Sequence, residues 1–256
     1  KNAIPIYDHA KNFPKALDTC EKLLALLPTE KGLCTRASKI ALGLKNSQKA
    51  LQYAKQATKQ TPDDFSAVLQ YAACLYASNQ LELAKQNYKK AIALKPDKYA
   101  PYASLARLFL RVGHHDRALA VVEKGLAHVT DSKSQLYSLL AILEQHNGNT
   151  QKAIDAFNHA IKEEPGNINA IYGLFALYAQ KNDLKKAMDL LDEKVPEKEK
   201  KLYLLNQASL LLKRKGELDD GLLLLRDAIE IDSEFLGSRI NYAMILSDKG
   251  DFKGAV

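Results

Sequence analysis

The side chains best able to do chemistry in this sequence are its six histidines, its three cysteines and its paired carboxylates. His114 and His115 are adjacent, and so are Asp219 and Asp220. Catalysis or metal binding would need such groups in a recognisable pattern, such as CxxC, HExxH or the GxSxG nucleophile motif. None of these patterns occurs, and neither a Gly-rich phosphate loop nor an EF-hand spacing is found. We therefore predict no catalytic residue, no metal site and no cofactor, and we do not expect this chain to be an enzyme.

The three cysteines are Cys20, Cys34 and Cys74. An odd number cannot all pair, and their spacings match no metal motif, so we interpret them as small core residues. Free thiols favour a reducing compartment, and hence the cytoplasm. A periplasmic or membrane-associated assembly is the alternative. No run of apolar residues reaches the roughly 18 to 20 needed to cross a bilayer, so no transmembrane segment is predicted.

The elements that position these side chains are set by a series of very small residues with a nearly constant period. The steps between its members are 34 or 35 residues. Such a period indicates one small helical unit repeated about eight times. The series consists of Ala16, Ala50, Ala84, Ala118, Ala153, Ala187, Gly221 and Ala255.

Other residues keep the same register. Twelve residues after the small residue come Pro28, Pro62, Pro96 and Pro165, where a missing N–H and a fixed φ end a helix. Asp63 and Asp97 follow two of these prolines, and we expect them to cap the next helix. Five residues before the small residue, Gly or Asn in six of eight repeats indicates a left-handed turn residue. These eight positions are Lys11, Lys45, Asn79, Gly113, Gly148, Asn182, Gly216 and Gly250.

This register resembles the tetratricopeptide repeat, most clearly in Phe65 to Lys98 and in Ser134 to Asn167. The resemblance implies an all-α fold: a right-handed α/α superhelical solenoid of tandem helix–turn–helix repeats, forming a single domain over residues 1–256. The expected repeats are 1–30 (partial), 31–64, 65–98, 99–133, 134–167, 168–201, 202–235 and 236–256 (partial). Incomplete first and last repeats favour a segment of a longer repeat protein, or self-association through uncapped terminal repeats.

Repeat six departs from the pattern. Phe175 and Lys194 replace small residues, and Pro196 falls inside the expected second helix. We expect a hinge at residues 192–201, or else only a longer solvated loop.

In the tetratricopeptide family, the first helix of each repeat lines a concave groove. That resemblance assigns a mixed set of basic, aromatic and amide side chains to the groove, with almost no carboxylates. Such a surface suits an extended or helical partner segment of acidic character. The basic clamp with which some family members bind chaperone C-termini is not reproduced, since Leu69 and Ala73 stand at two of its positions. The candidate groove residues are Lys39, Leu69, Tyr76, Arg107, Arg111, Gln145, His146, Tyr172, Asn206, Lys213 and Arg214.

The resulting hypothesis is a protein–protein interaction scaffold or adaptor, belonging to a larger assembly or secretion-related protein. The alternative is a regulatory, substrate-selecting region of an enzyme whose catalytic domain lies outside these residues. A net charge of +7 and a pI near 9.1 also make nucleic acid a candidate partner. We disfavour nucleic acid because the lysines are spread over many helices, often beside Glu or Asp, and form no continuous stripe.

Overall fold

The computed structural model describes residues 12–181, 183–195, 197–251 and 254, and every regular element within these ranges is an α-helix. The all-α class and the tandem helix–turn–helix architecture are thus confirmed. The helices are α1 Phe13–Leu26, α2 Leu33–Gly43, α3 Ser47–Gln60, α4 Phe65–Ala77, α5 Leu81–Leu94, α6 Tyr99–Arg111, α7 His115–His128, α8 Lys133–His146, α9 Thr150–Glu163, α10 Ile168–Gln180, α11 Leu184–Lys194, α12 Lys198–Lys215, α13 Leu218–Ile231 and α14 Leu236–Asp248.

The chain divides into two compact units, Lys1–Leu136 and Tyr137–Val256. Even-numbered helices are the first helices of the repeats, and odd-numbered helices are the second. In the first unit, α2 packs on α3, α4 on α5 and α6 on α7. In the second unit, α10 packs on α11 and α12 on α13, while α14 contacts both α12 and α13. Each unit is therefore built by stacking the same hairpin.

The small residues of the series lie where helices cross. Ala16, Ala50, Ala84, Ala118, Ala153 and Ala187 have no exposed surface. A Cβ added to Gly221 would lie 3.1 Å from Ile245 Cδ1 and 3.3 Å from the Ser209 carbonyl oxygen. Larger side chains at these positions would push the helix axes apart. Ala255 lies outside the described residues.

The turn before the small residue has the expected left-handed backbone, at φ between 76° and 82° in Gly113, Gly148, Gly216 and Gly250. Asn79 has φ 61°, and Lys45 adopts φ 59° without being Gly or Asn. The repeat geometry thus imposes the left-handed turn even on a lysine, at a cost in backbone energy. Lys11 and Asn182 lie outside the described residues.

The helix caps differ from those expected, since Asp63 and Asp97 do not cap. Asp64 caps α4 by accepting a bond from the Ala67 N–H at 2.7 Å. Asp63 forms an ion pair with Lys90, and Asp97 forms one with Lys98. The first turn of α6 instead uses a distant residue, because the Tyr99 N–H donates to Asp131 Oδ1 at 3.4 Å.

Repeat six is irregular in the predicted direction. Phe175 is buried, and α11 has 11 residues whereas α5 and α9 have 14. The charged run after it mostly enters α12, an 18-residue helix that begins at Lys198. The alternative of a longer solvated loop is therefore wrong. The hinge remains a prediction, and Pro196 itself lies outside the described residues.

Cys20, Cys34 and Cys74 form no disulfide and are fully buried, as expected for small core residues. Burial raises the pKa of the Cys34 and Cys74 thiols. Ser38 donates to the Ala50 carbonyl oxygen at 2.8 Å and lies 3.1 Å from Cys74 Sγ. Across the described ranges, no helix is both long and apolar enough to span a membrane. Those ranges also contain no group of three metal-ligating side chains.

Candidate functional site

The first helices of the first unit carry five of the candidate groove residues, which we call the first-helix surface: Lys39, Leu69, Tyr76, Arg107 and Arg111. Leu69 and Tyr76 are half-buried on α4, whereas Lys39, Arg107 and Arg111 are exposed. In the described part of the chain, neither Lys39 nor Arg107 takes part in an ion pair. Both cations are therefore available to a ligand.

Lys39 lines a depression of about 760 Å³ at the start of this surface. The described residues around it come from α1, α2 and the beginning of α4. They combine apolar groups, hydroxyls and cations, while the Asp64 carboxylate is occupied in capping α4. The described lining is Phe13, Gly32, Thr35, Arg36, Lys39, Ile40, Gly43, Asp64 and Ser66.

Arg111 is held by the preceding repeat. Its guanidinium donates to the Tyr76 carbonyl oxygen at 3.2 Å and to Asn79 Oδ1 at 3.0 Å. Its Cζ also lies 4.8 Å from the centroid of the Tyr76 ring, a cation–π geometry. Arg111 therefore links α6 to the end of α4 and orients Tyr76, and Arg107 is the freer of the two charges.

In the second unit, several candidates contact residues of the neighbouring repeat. The exposed Gln145 donates to Gln180 Oε1 at 3.3 Å, and Lys213 pairs with Asp248 at 2.9 Å. Burial raises the pKa of the half-buried Tyr172, and the positive charge of Arg214 opposes this shift. Tyr172 and the exposed Arg214 thus lie within electrostatic reach of each other. His146 is exposed at the end of α8.

Asn206 is the one candidate that is inaccessible. It is 7% exposed and donates at 2.8 Å to both the Leu202 carbonyl oxygen and Ser238 Oγ. Its Oδ1 accepts a bond from Asn241 at 2.8 Å. Asn206 therefore stabilises the stacking of α14 on α12, and we leave it out of the proposed binding surface.

Sequence reasoning missed the polar partners that occupy these side chains. The sequence did contain a signal for these contacts, because the contacting residues of neighbouring repeats are separated by one repeat length plus one residue. Polar or aromatic side chains 35 residues apart on successive first helices thus predict contacts between repeats. The pairs are Tyr76 with Arg111, Gln145 with Gln180, Asn206 with Asn241, and Lys213 with Asp248.

Family models described as tetratricopeptide repeat match residues 35–99, 75–143 and 145–204. These matches cover more than half of the sequence. The chain belongs to the tetratricopeptide repeat family. A crystal structure of a tetratricopeptide repeat protein from Parabacteroides merdae ATCC 43184 has the same fold. It superposes with a TM-score of 0.63 over 96% of both chains at 16% identity.

Curated relatives are larger proteins. Human general transcription factor 3C polypeptide 3 is 26% identical over 146 residues, which are 57% of this chain and 16% of that protein. Human protein O-mannosyl-transferase TMTC1 is 25% identical over 188 residues, which are 71% of this chain and 21% of that protein. The chain thus spans about a fifth or less of these relatives.

Proposed function

We propose that this chain is a protein-binding scaffold whose first-helix surface holds an extended or helical acidic segment of a partner. Tetratricopeptide repeats are typically scaffolds for protein–protein interaction. The observation that carries the acidic preference is the pair of exposed cations, Lys39 and Arg107, with no ion pair among the described residues. Carboxylates of a partner would form charge-assisted hydrogen bonds with them.

The contacts of Arg111 indicate that the two arginines of this surface, Arg107 and Arg111, have different roles. Because its guanidinium already bonds to α4 and stacks on Tyr76, it fixes an aromatic side chain before any partner arrives. A pre-oriented tyrosine offers contact area with little loss of side-chain entropy on binding. Arg107 then supplies the accessible charge one helical turn away.

A second candidate role is the regulatory, substrate-selecting region of an enzyme whose catalytic part lies outside these residues. It is favoured by the match to O-mannosyl-transferase TMTC1, of which the aligned residues form 21%. The repeats would then still bind protein, and the bound protein would be a substrate.

The test is affinity capture with three forms of the chain: wild type, the double variant Lys39→Glu with Arg107→Glu, and the control Lys55→Glu with Lys59→Glu. The control changes the charge equally at two exposed lysines of the second helix α3. We expect a partner retained by wild type and control to bind the first variant at least about tenfold more weakly, because two charge-assisted contacts are lost.

Equal binding by all three forms would remove the first-helix surface from the function. If both variants bind the captured material equally weakly, and nuclease treatment abolishes its binding to wild type, the partner is nucleic acid instead. Circular dichroism establishes that all three forms are folded.

A further inference from the structure

A second depression, of about 550 Å³, lies on the surface formed by the second helices α5 and α7. It belongs entirely to the first unit and shares no residue with the first-helix surface. Its walls are apolar and its rim is basic, and no described lining residue has a carboxylate. We call it the second-helix pocket. It is lined by Lys89, Ile92, Ala93, Pro96, Tyr102, Leu105, Val121, Lys124 and His128.

The floor of the pocket is held in place by Tyr102. This residue is 1% exposed, and its hydroxyl donates to the Pro96 carbonyl oxygen at 3.2 Å. Its ring approaches α7 closely because residue 125 is glycine; a Cβ there would lie 3.0 Å from Tyr102 Cγ. The floor of the depression is therefore formed by a buried side chain whose position is fixed by a hydrogen bond and by close packing.

In the described residues, no rim cation is paired with a carboxylate at ion-pair distance, although the charge of Lys89 helps to lower the pKa of Glu82. Lys89 and Lys124 are exposed, and neither ammonium forms an ion pair there. His128 Nδ1 donates to the Lys124 carbonyl oxygen at 2.8 Å, which fixes the ring beside Lys124. A basic rim around an apolar depression fits a ligand with both an apolar group and negative charges.

Comparison with the preceding repeat explains why Lys124 is available. Its equivalent there, Lys90, donates to the Pro62 carbonyl oxygen at 2.8 Å and pairs with Asp63 at 3.1 Å. One repeat later, the Tyr102 hydroxyl bonds to the Pro96 carbonyl and Lys98 pairs with Asp97. The acceptors that hold Lys90 are thus occupied by other groups in the repeat of Lys124.

The combination is also specific to this repeat in the sequence register. The positions of Lys89, Lys124 and His128 hold Lys55, Lys90 and Leu94 one repeat earlier. One repeat later they hold Glu123, His159 and Glu163. In neither neighbouring repeat do all three positions hold a basic side chain.

Charge complementarity identifies the occupant. Residues 1–136 contain 21 Lys and Arg against 11 Asp and Glu, whereas residues 137–256 contain 16 against 19. The unit that carries the pocket therefore attracts acidic chains at long range. The pocket is an open depression, which suits one large side chain of a peptide.

We propose that the second-helix pocket binds an acidic peptide segment of a partner protein. One large apolar side chain of the segment enters between Ile92 and Val121, and flanking carboxylates bond to Lys89 and Lys124. This site is separate from the first-helix surface, so that one chain can hold two partner segments at once.

The probe is an acetylated and amidated peptide with one phenylalanine between two pairs of aspartates, titrated into the full chain with labelled methyl groups. We expect the methyl signals of Ile92 and Val121 to shift. The double variant Lys89→Glu with Lys124→Glu should bind at least about tenfold more weakly, because both charge-assisted bonds become repulsions.

The control Lys55→Glu with Lys59→Glu has the same net charge and should bind as wild type does. Ala93→Trp, which fills the pocket from an exposed position without changing charge, should also weaken binding. The proposal fails if the control loses as much affinity as the pocket variant, or if a peptide with alanine in place of phenylalanine binds equally well. It also fails if the Ile92 and Val121 signals do not respond.

The outcome is independent of the function proposed above. Lys39→Glu with Arg107→Glu alters only the first-helix surface and should leave the titration unchanged. Loss of binding in that variant alone would move the peptide to the first-helix surface and would overturn the assignment of the pocket.

Discussion

At the scale of single residues, the smallest side chains limit how closely the helices pack. Ala84 on α5 has no exposed surface, while Ala93 on the same helix is exposed. The two alanines therefore have the same helix propensity and opposite packing environments. This pair separates the effect of the helix crossing from that of the helix itself.

We expect Ala84→Leu to lower the free energy of unfolding by about 1 to 3 kcal/mol, since extra methylenes must displace a packed neighbour. Ala93→Leu should change it by less than about 0.5 kcal/mol, as is usual at exposed positions. Denaturant unfolding at equilibrium measures both. Equal stability of the two variants would show that the register of the small residues is misplaced.

At the scale of elements, the repeats require a left-handed residue between their two helices. Lys45 and Gly113 occupy equivalent turns, at φ 59° and φ 76°. A Cβ added to Gly113 would meet no heavy atom within 4 Å. A side chain added at Gly113 would therefore affect stability through the left-handed backbone conformation and not through a steric clash.

We predict that Lys45→Gly stabilises the chain by up to about 1 kcal/mol, because relief of the left-handed strain exceeds the entropy cost of glycine. Gly113→Ala should destabilise it by about 1 to 2 kcal/mol. Thermal unfolding of both variants provides the measurement. A destabilising Lys45→Gly would mean that the lysine side chain contributes more than its backbone costs.

The shortened second helix of repeat six carries the remaining element-scale prediction. Because α11 has 11 residues whereas α5 has 14, we expect amide hydrogens in residues 192–201 to exchange faster than those in residues 61–64 and 95–98. Exchange measured by mass spectrometry after brief labelling tests this. Protection equal to that of the two reference segments would argue against a hinge.

The elements were largely predictable because spacing alone determines them: small residues, turn residues and prolines recur at fixed offsets. The caps were less predictable, since Asp63 and Asp64 are chemically identical neighbours and only the local backbone decides which one accepts the Ala67 N–H. The positions of the candidate surface residues on the first helices were predictable from the sequence. Which of these side chains remain accessible to a partner was not. Whether Arg111 or Asn206 is already bonded depends on residues of other repeats, which lie 32 or 35 positions away in the sequence.

At the scale of the whole molecule, charge is divided unevenly along the chain. The first unit has an excess of ten positive charges and the second an excess of three negative ones. Both proposed acidic-binding surfaces with accessible cations, the first-helix surface and the second-helix pocket, belong to the first unit. An acidic partner should therefore associate with the first unit at a rate that falls steeply with ionic strength.

The three buried cysteines have a practical consequence. All of them lie before residue 75, and residues 137–256 contain none. Since each thiol is fully enclosed, a thiol-specific reagent can react only after the surrounding helices separate. Alkylation kinetics of the unmodified protein therefore report how often the first unit opens, without a label or an engineered residue, while the second unit contributes no background.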